Sequence, residues 1–216
     1  MLNWEEIEAR ALAAVEKQTK AHEKIALNNT KKVLAAFAKN QVSDYYLKPT
    51  TGYAYSDIGR DKLDDIYADI FKTEAALVRS QFVSGTHALA TALLGVLRAG
   101  DEMIGITGKP YDTLQTVIGI AGKLPGSLID MGVIYKEIAM EGGQANLEAL
   151  AQTITPKTKL IYIQRSCGYS NVRRTLSVAE IGEICQAAKK IKPDVICFVD
   201  NCYGEFMEEK EPTEVG

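Results

Sequence analysis

From residue 75 to residue 200 the sequence switches again and again between two hydrophobic periodicities. Short apolar runs rich in β-branched residues read as strands: "AALVRS", "DEMIGI", "SLIDMGVIYKEI" (one strand or two), "TKLIYIQ" and "DVICFVD". Between them lie segments with helical spacing: "THALATALLGVLRAG", "DTLQTVIGIAG", "NLEALAQTI" and "SVAEIGEICQAAKKI". A strand that must rejoin its neighbour through a helix pairs with it in parallel, and the helices then cover the sheet. The pattern therefore predicts an α/β fold, a mainly parallel sheet flanked by helices.

Ahead of this region, Trp4, Ile7, Ala11, Val15, His22, Ile25, Asn29, Val33 and Phe37 recur at helical spacing, which predicts helix over residues 4–38. The pair Asn28-Asn29 is a candidate break. A loop punctuated by Pro49 and Gly52 leads to a second helix near Ser56–Phe71. We expect an N-terminal helical arm over 1–55 and a large domain over 56–216.

Composition narrows the function classes. A chain of 216 residues with 46% hydrophobic content can bury a sizeable core. A net charge of -3, with both signs mixed, gives no electrostatic case for nucleic acid or an acidic membrane surface. No apolar run approaches membrane-spanning length, and the acidic N-terminus is unlike a signal peptide, so a cytoplasmic protein is expected. Cys167, Cys185, Cys197 and Cys202 have no metal-ligand spacing, and His22 and His87 lie far from them in sequence. No metal site is predicted; reduced thiols fit better.

Ligands of open α/β sheets bind beyond the carboxyl ends of the strands, so the turns that follow strands matter most. In "SGTHA", a small polar turn opens a helix and offers free N–H groups at the positive end of its dipole, which suits a phosphate. An ordinary N-cap would read the same way. In "TGKPYDT", Tyr111 follows a stiffening proline and could cover a flat ligand or simply pack on the next helix. At the end of "DVICFVD", Asp200 could cap, ligate a metal, act as a base, or hold a proton on a pyridine nitrogen. We expect it at the end of a central strand, facing the same cleft as Gly85 and Tyr111.

Five stretches, "GYAYSDIGRDKLD", "QFVSGTHAL", "GKPYDTL", "IQRSCGYS" and "VDNCYGEF", together resemble the Cys/Met-metabolism enzymes that use pyridoxal 5'-phosphate (PLP) on an aspartate aminotransferase-like fold. The resemblance is to the methionine γ-lyase-like, aluminium resistance subgroup. It implies that Gly85 and Thr86 bind the PLP phosphate, that Tyr111 stacks on the pyridine ring, and that Asp200 pairs with the ring nitrogen. It also implies ring contact from Cys202, where the wider family has threonine, and a place for Gln164 at the ring's hydroxyl edge. Tyr55 and Arg60 resemble residues that reach the phosphate from a neighbouring subunit.

The same resemblance implies a Schiff-base lysine some tens of residues after the aspartate. Lys210, the one lysine after Asp200, sits among Glu208, Glu209 and Glu211, whose charges oppose the low pKa such a lysine needs. No catalytic residue is therefore assigned within the chain, and the lysine is expected beyond Gly216, in a continuation of the large domain. The implied activity is a PLP-dependent carbon–sulfur lyase acting on a sulfur amino acid, in a homo-oligomer (dimer or tetramer). Alternatives are another PLP reaction, such as transamination or aldol cleavage, or a non-catalytic α/β protein without the lysine.

Overall fold

The computed structural model describes residues 3–50, 57–122, 124–169 and 173–216. They divide into two compact units: Met1–Val78 with Phe206–Lys210, and Arg79–Glu205 with Glu211–Gly216. The boundary expected at 55/56 falls at residues 51–56, outside the described residues.

The first unit is helical. Helix α1 (Trp4–Lys39) starts at Asn3, whose side chain accepts the N–H of Glu6, with Glu5 and Glu6 in the first turn and Lys39 in the last. The candidate break at Asn28-Asn29 does not occur. Asn29 is only 4% exposed, and its amide donates to the carbonyls of Phe206 and Glu208 at 2.9 and 3.0 Å. The side chain thus bonds a returning segment and leaves the helical backbone undisturbed. Helix α2 (Ile58–Phe71) is capped by Asp57, which accepts the N–H of Arg60, and ends at Lys72 in the left-handed region. Ile66 and Ile70 pack with Ala36 of α1 into a small core.

The second unit holds the sheet. Strands β1 (Glu102–Gly105), β2 (Ile134–Glu137), β3 (Thr158–Gln164) and β4 (Ile196–Asp200) lie in the order β2-β1-β3-β4. Every pairing is parallel. Helix α3 (Gly85–Val96) precedes β1, and α4 (Asp112–Ile118), α5 (Leu147–Thr153) and α6 (Val178–Ile191) supply the three crossovers.

Alternation along the strands assigns the two faces of the sheet. Leu160 and Tyr162 of β3 pack with Met103, with Leu93 of α3, and with Leu114 and Ile118 of α4. Ile161 and Ile163 point the other way, into a core with Leu150 of α5 and Ile181, Ile184 and Ala188 of α6. Burial on both faces is why these strands read as nearly continuous apolar runs. Each such side chain removed from water contributes about 2 kcal/mol. Because the strand period is two, Gln164 continues the Leu160/Tyr162 side, and Asp200 continues the side of Phe198, which packs against that same core.

Two expectations need correction, and one open alternative is resolved. "AALVRS" forms no strand; Val78 instead donates its N–H to the Asp64 carboxylate at 2.8 Å. "SLIDMGVIYKEI" yields one strand, because residues 127–132 turn back through bonds such as Met131 N–H to the Ser127 carbonyl. Among the described residues β4 is an edge strand, so Asp200 ends an edge strand and not a central one.

Candidate active site

The loop after β1 and the ends of β3 and β4 lie at the carboxyl side of the parallel sheet, and the N-terminus of α3 joins them there through its contact with the start of α4. A hydroxyl pair makes the first junction: Thr86 Oγ1 of α3 lies 2.6 Å from Thr113 Oγ1 of α4. The α3 turn uses Ser84 as an ordinary N-cap, its Oγ accepting from the N–H of His87 at 3.1 Å. Gly85 and Thr86 occupy the first two helical positions, where an N–H has no acceptor within its own helix. Among the described residues, no atom beyond its chain neighbours and its own helix backbone lies within 4 Å of the point where a Cβ on Gly85 would sit. The turn is thus an ordinary cap with open space beside Gly85.

The loop from Thr107 to Tyr111 is held from β3 and from the segment beyond it. The Gln164 side-chain oxygen accepts the Tyr111 N–H at 2.8 Å, and the Gln164 N–H donates to Thr107 Oγ1 at 3.0 Å. Arg173 donates to the carbonyls of Thr107 and Lys109 at 3.1 and 3.0 Å, and to that of Cys167 at 3.2 Å. The ring of Tyr111 lies 5.9 Å from that of Tyr169 at 34°. Hydrogen bonding to Tyr169 pushes the Tyr111 phenol above its ordinary range. A cavity of about 490 Å³ beside this loop has Lys109, Tyr111, Glu137, Met140 and Arg173 among its walls. Neither Asp200 nor Thr86 is among its walls.

Asp200 is 8% exposed. Its Oδ2 accepts from the Tyr162 hydroxyl at 3.3 Å and its Oδ1 from the Cys202 N–H at 3.1 Å. One donor on each oxygen fixes the carboxylate plane and leaves lone pairs for a further partner. Burial, then the Asp200 charge, pushes the Tyr162 phenol well up, so it remains a donor. Burial, Asp200 and Glu205 also raise the exposed Cys202 thiol. Behind them, Arg165 is 2% exposed. It donates to the Asn201 side chain at 2.8 Å and to the carbonyls of Gly204 and Leu176 at 2.7 and 3.2 Å. A Cβ on Gly204 would run into the Arg165 guanidinium, so this turn needs glycine.

Of the residues singled out in the sequence, Gly85, Thr86, Tyr111, Gln164, Asp200 and Cys202 all sit at this end of the sheet unit. Tyr55 lies outside the described residues. Arg60 belongs to the helical unit, where its Nε approaches Asp57 Oδ2 at 3.4 Å. Among the described residues no group of three or more His, Cys, Asp or Glu side chains could hold a metal. Sequence reasoning missed Thr113, Tyr162, Arg165 and Arg173. Only Tyr162 carried a usable signal, since "LIYIQ" places it two residues before Gln164 and so on the same face.

A helix N-terminus open to an anion, an aromatic ring at a braced loop and a buried carboxylate would suit a flat, phosphorylated, nitrogen-containing ring. Against known proteins, the methionine gamma-lyase family model matches residues 4–216. The chain belongs to the methionine gamma-lyase family. It is 49% identical over 213 residues to the uncharacterized protein YnbB of Bacillus subtilis, covering 98% of this chain and 49% of that protein. A solved structure from Listeria monocytogenes, provisionally named a cystathionine beta-lyase involved in aluminum resistance, is 47% identical with a TM-score of 0.95. That match covers 98% of this chain and 54% of the Listeria chain. The L-methionine gamma-lyase of Pseudomonas putida is 28% identical over 155 residues, 70% of this chain and 34% of that enzyme. The chain thus spans about half the length of its B. subtilis relative. The family is one of carbon–sulfur lyase-like proteins. No helix among the described residues is long and apolar enough to cross a membrane.

Proposed function

We propose that this protein binds PLP at the carboxyl ends of β1, β3 and β4 and acts as a carbon–sulfur lyase on a sulfur amino acid. The observation that carries the reading is the Asp200 carboxylate. It is buried, bonded once on each oxygen, and set on the same face of the sheet as α3, whose N-terminus opens at that end. Bound PLP supplies an electron sink that lets an α-proton and a thiol leave an amino acid.

The residues of this chain do the rest. The N–H groups of Gly85 and Thr86, with the Thr86 hydroxyl, bind the phosphate. Tyr111 covers the ring face and keeps water from it. Asp200 holds a proton at the ring nitrogen, and the Tyr162 hydroxyl and Cys202 N–H keep its carboxylate turned toward that atom. Cys202 offers its exposed side chain beside the ring. Tyr55 and Arg60 are proposed to serve the phosphate of a neighbouring copy. A homo-oligomer also fits the exposed apolar side chains of α1, among them Trp4, 72% exposed. No residue here is assigned the Schiff-base role; the proposal expects that lysine beyond Gly216.

The test is equilibrium binding of PLP to the purified protein and to Asp200→Ala. Saturable binding that weakens about tenfold or more in Asp200→Ala supports the site, since a charge-assisted hydrogen bond is lost. No saturable binding to the wild type contradicts it. For the reaction class, a lyase given a sulfur amino acid releases thiol, ammonia and keto acid. A transaminase instead converts an added keto acid into an amino acid.

A further inference from the structure

We infer that Gln164 is a positioning residue, which sets the place of the Tyr111 ring by holding the backbone of the loop that carries it. The inference rests on the PLP reading only for what the Tyr111 ring covers.

Gln164 is the last residue of β3 and is 1% exposed. Both ends of its amide are committed to protein: Oε1 accepts the Tyr111 N–H at 2.8 Å, and Nε2 donates to the Ser166 carbonyl at 3.3 Å. Its own N–H donates to Thr107 Oγ1 at 3.0 Å. One residue therefore grips the loop at its first position and at its last. Gly168 closes the amide in, because a Cβ there would lie 3.3 Å from Gln164 Nε2 and 3.3 Å from Arg173 Nη2. Arg173 ties the Thr107 and Lys109 carbonyls to that of Cys167, so the middle of the loop is braced as well.

Tyr111 immediately precedes α4, with φ -51 and ψ 145. Fixing its N–H at a helix start fixes the direction of its Cα–Cβ bond, and hence the place of the ring. The chemistry calls for an amide. It accepts from one main-chain group and donates to another, whereas a carboxylate offers only acceptors and brings a buried charge. An apolar side chain serves neither group. With its oxygen on Tyr111 and its nitrogen on Ser166, Gln164 acts on the cofactor through Tyr111.

The experiment has two readouts on the same protein. Amide hydrogen exchange of Tyr111, without PLP, reads the loop attachment. PLP affinity, in a double-mutant cycle of Gln164→Met with Tyr111→Ala, reads its consequence. Gln164→Met should speed Tyr111 exchange and weaken PLP binding, each about fivefold to tenfold, the loss of one well-made hydrogen bond. In the Tyr111→Ala background the same change should alter PLP affinity by less than about twofold. Gln164→Glu keeps an acceptor for Tyr111 and should leave its exchange near that of the wild type. It therefore still reads the attachment if Gln164→Met folds poorly. Unchanged Tyr111 exchange in Gln164→Met, or fast exchange in Gln164→Glu, overturns the inference. Equal weakening with and without the Tyr111 ring also overturns it, because Gln164 would then touch the cofactor itself. Absence of PLP binding by the wild type sinks the function proposed above, while the exchange data still judge the attachment.

Discussion

The turn that opens α3 and the turn that follows β4 stand at the same end of the sheet but are built in opposite ways. At α3 the bonds are local: Ser84 caps His87 three residues on, and Val83 donates to the His87 ring at 3.4 Å. After β4 they are long-range: Arg165 reaches Asn201 and Gly204, Tyr162 reaches Asp200, and Asn201 donates to Glu211 at 3.1 Å. The first turn leaves the N–H groups of the helix start without acceptors in their own helix. The second fixes one carboxylate. A binding end can be cheap and local, whereas a carboxylate that must face one ligand atom needs bracing from several elements.

Arg165→Leu should break the contrast hardest. Removing the buried guanidinium strands the carbonyls of Gly204 and Leu176 and the Asn201 side chain, at about 3 kcal/mol of unfolding free energy in urea. A loss under about 1 kcal/mol would show the bracing to be idle. Next comes Tyr162→Phe, which keeps the ring packed against Phe198 at 6.1 Å and removes only the donor to Asp200. We expect a loss of about 2 kcal/mol by the same measurement, because the acceptor is a carboxylate.

Ser84→Ala should cost less, about 1 kcal/mol, as the loss of a single N-cap. A larger loss than for Tyr162→Phe would reverse the ranking. The smallest effect sharpens the local side at another helix start. Ser177 and Glu180 form a reciprocal capping box at α6. The neighbouring Arg174, and then the Ser177 contacts against a burial cost, hold the Glu180 carboxyl down at about 2 from an ordinary 4.5. A carboxyl held low when folded stabilises the fold above about 4.5 and loses that contribution as pH falls toward 2. After solvent screening the contribution is under about 1 kcal/mol, and Glu180→Gln should remove that part of the pH dependence in acid unfolding.

The same divide explains what could be read in the sequence. Local signals sufficed for α6, where "SVAEIGEICQAAKKI" carries its capping box and its apolar face together. They sufficed for α4 too, which ends at Gly119 with φ 98. "AALVRS" has the right residues for a strand, but a strand is defined by the backbone beside it, and Val78 bonds Asp64 instead. Asn28-Asn29 looked like a break because the acceptors of the Asn29 amide nitrogen come from residues 206 and 208. Gly85, Thr86, Tyr111 and Asp200 could be picked out because each follows a strand-like run or opens a helix. Arg165 and Arg173 could not, since their partners depend on the register of β3 against β4 and on the path of a loop. Where a residue acts through distant backbone, composition and period are silent.

The central claim is that one end of the sheet holds PLP between the α3 N-terminus and Asp200. A crystal structure of the protein with PLP tests this most directly. The account predicts phosphate density on the Gly85 and Thr86 N–H groups, and the ring nitrogen about 2.8 Å from the Asp200 carboxylate. PLP found instead in the cavity of about 490 Å³ beside the Tyr111 loop, with Asp200 untouched, would contradict it.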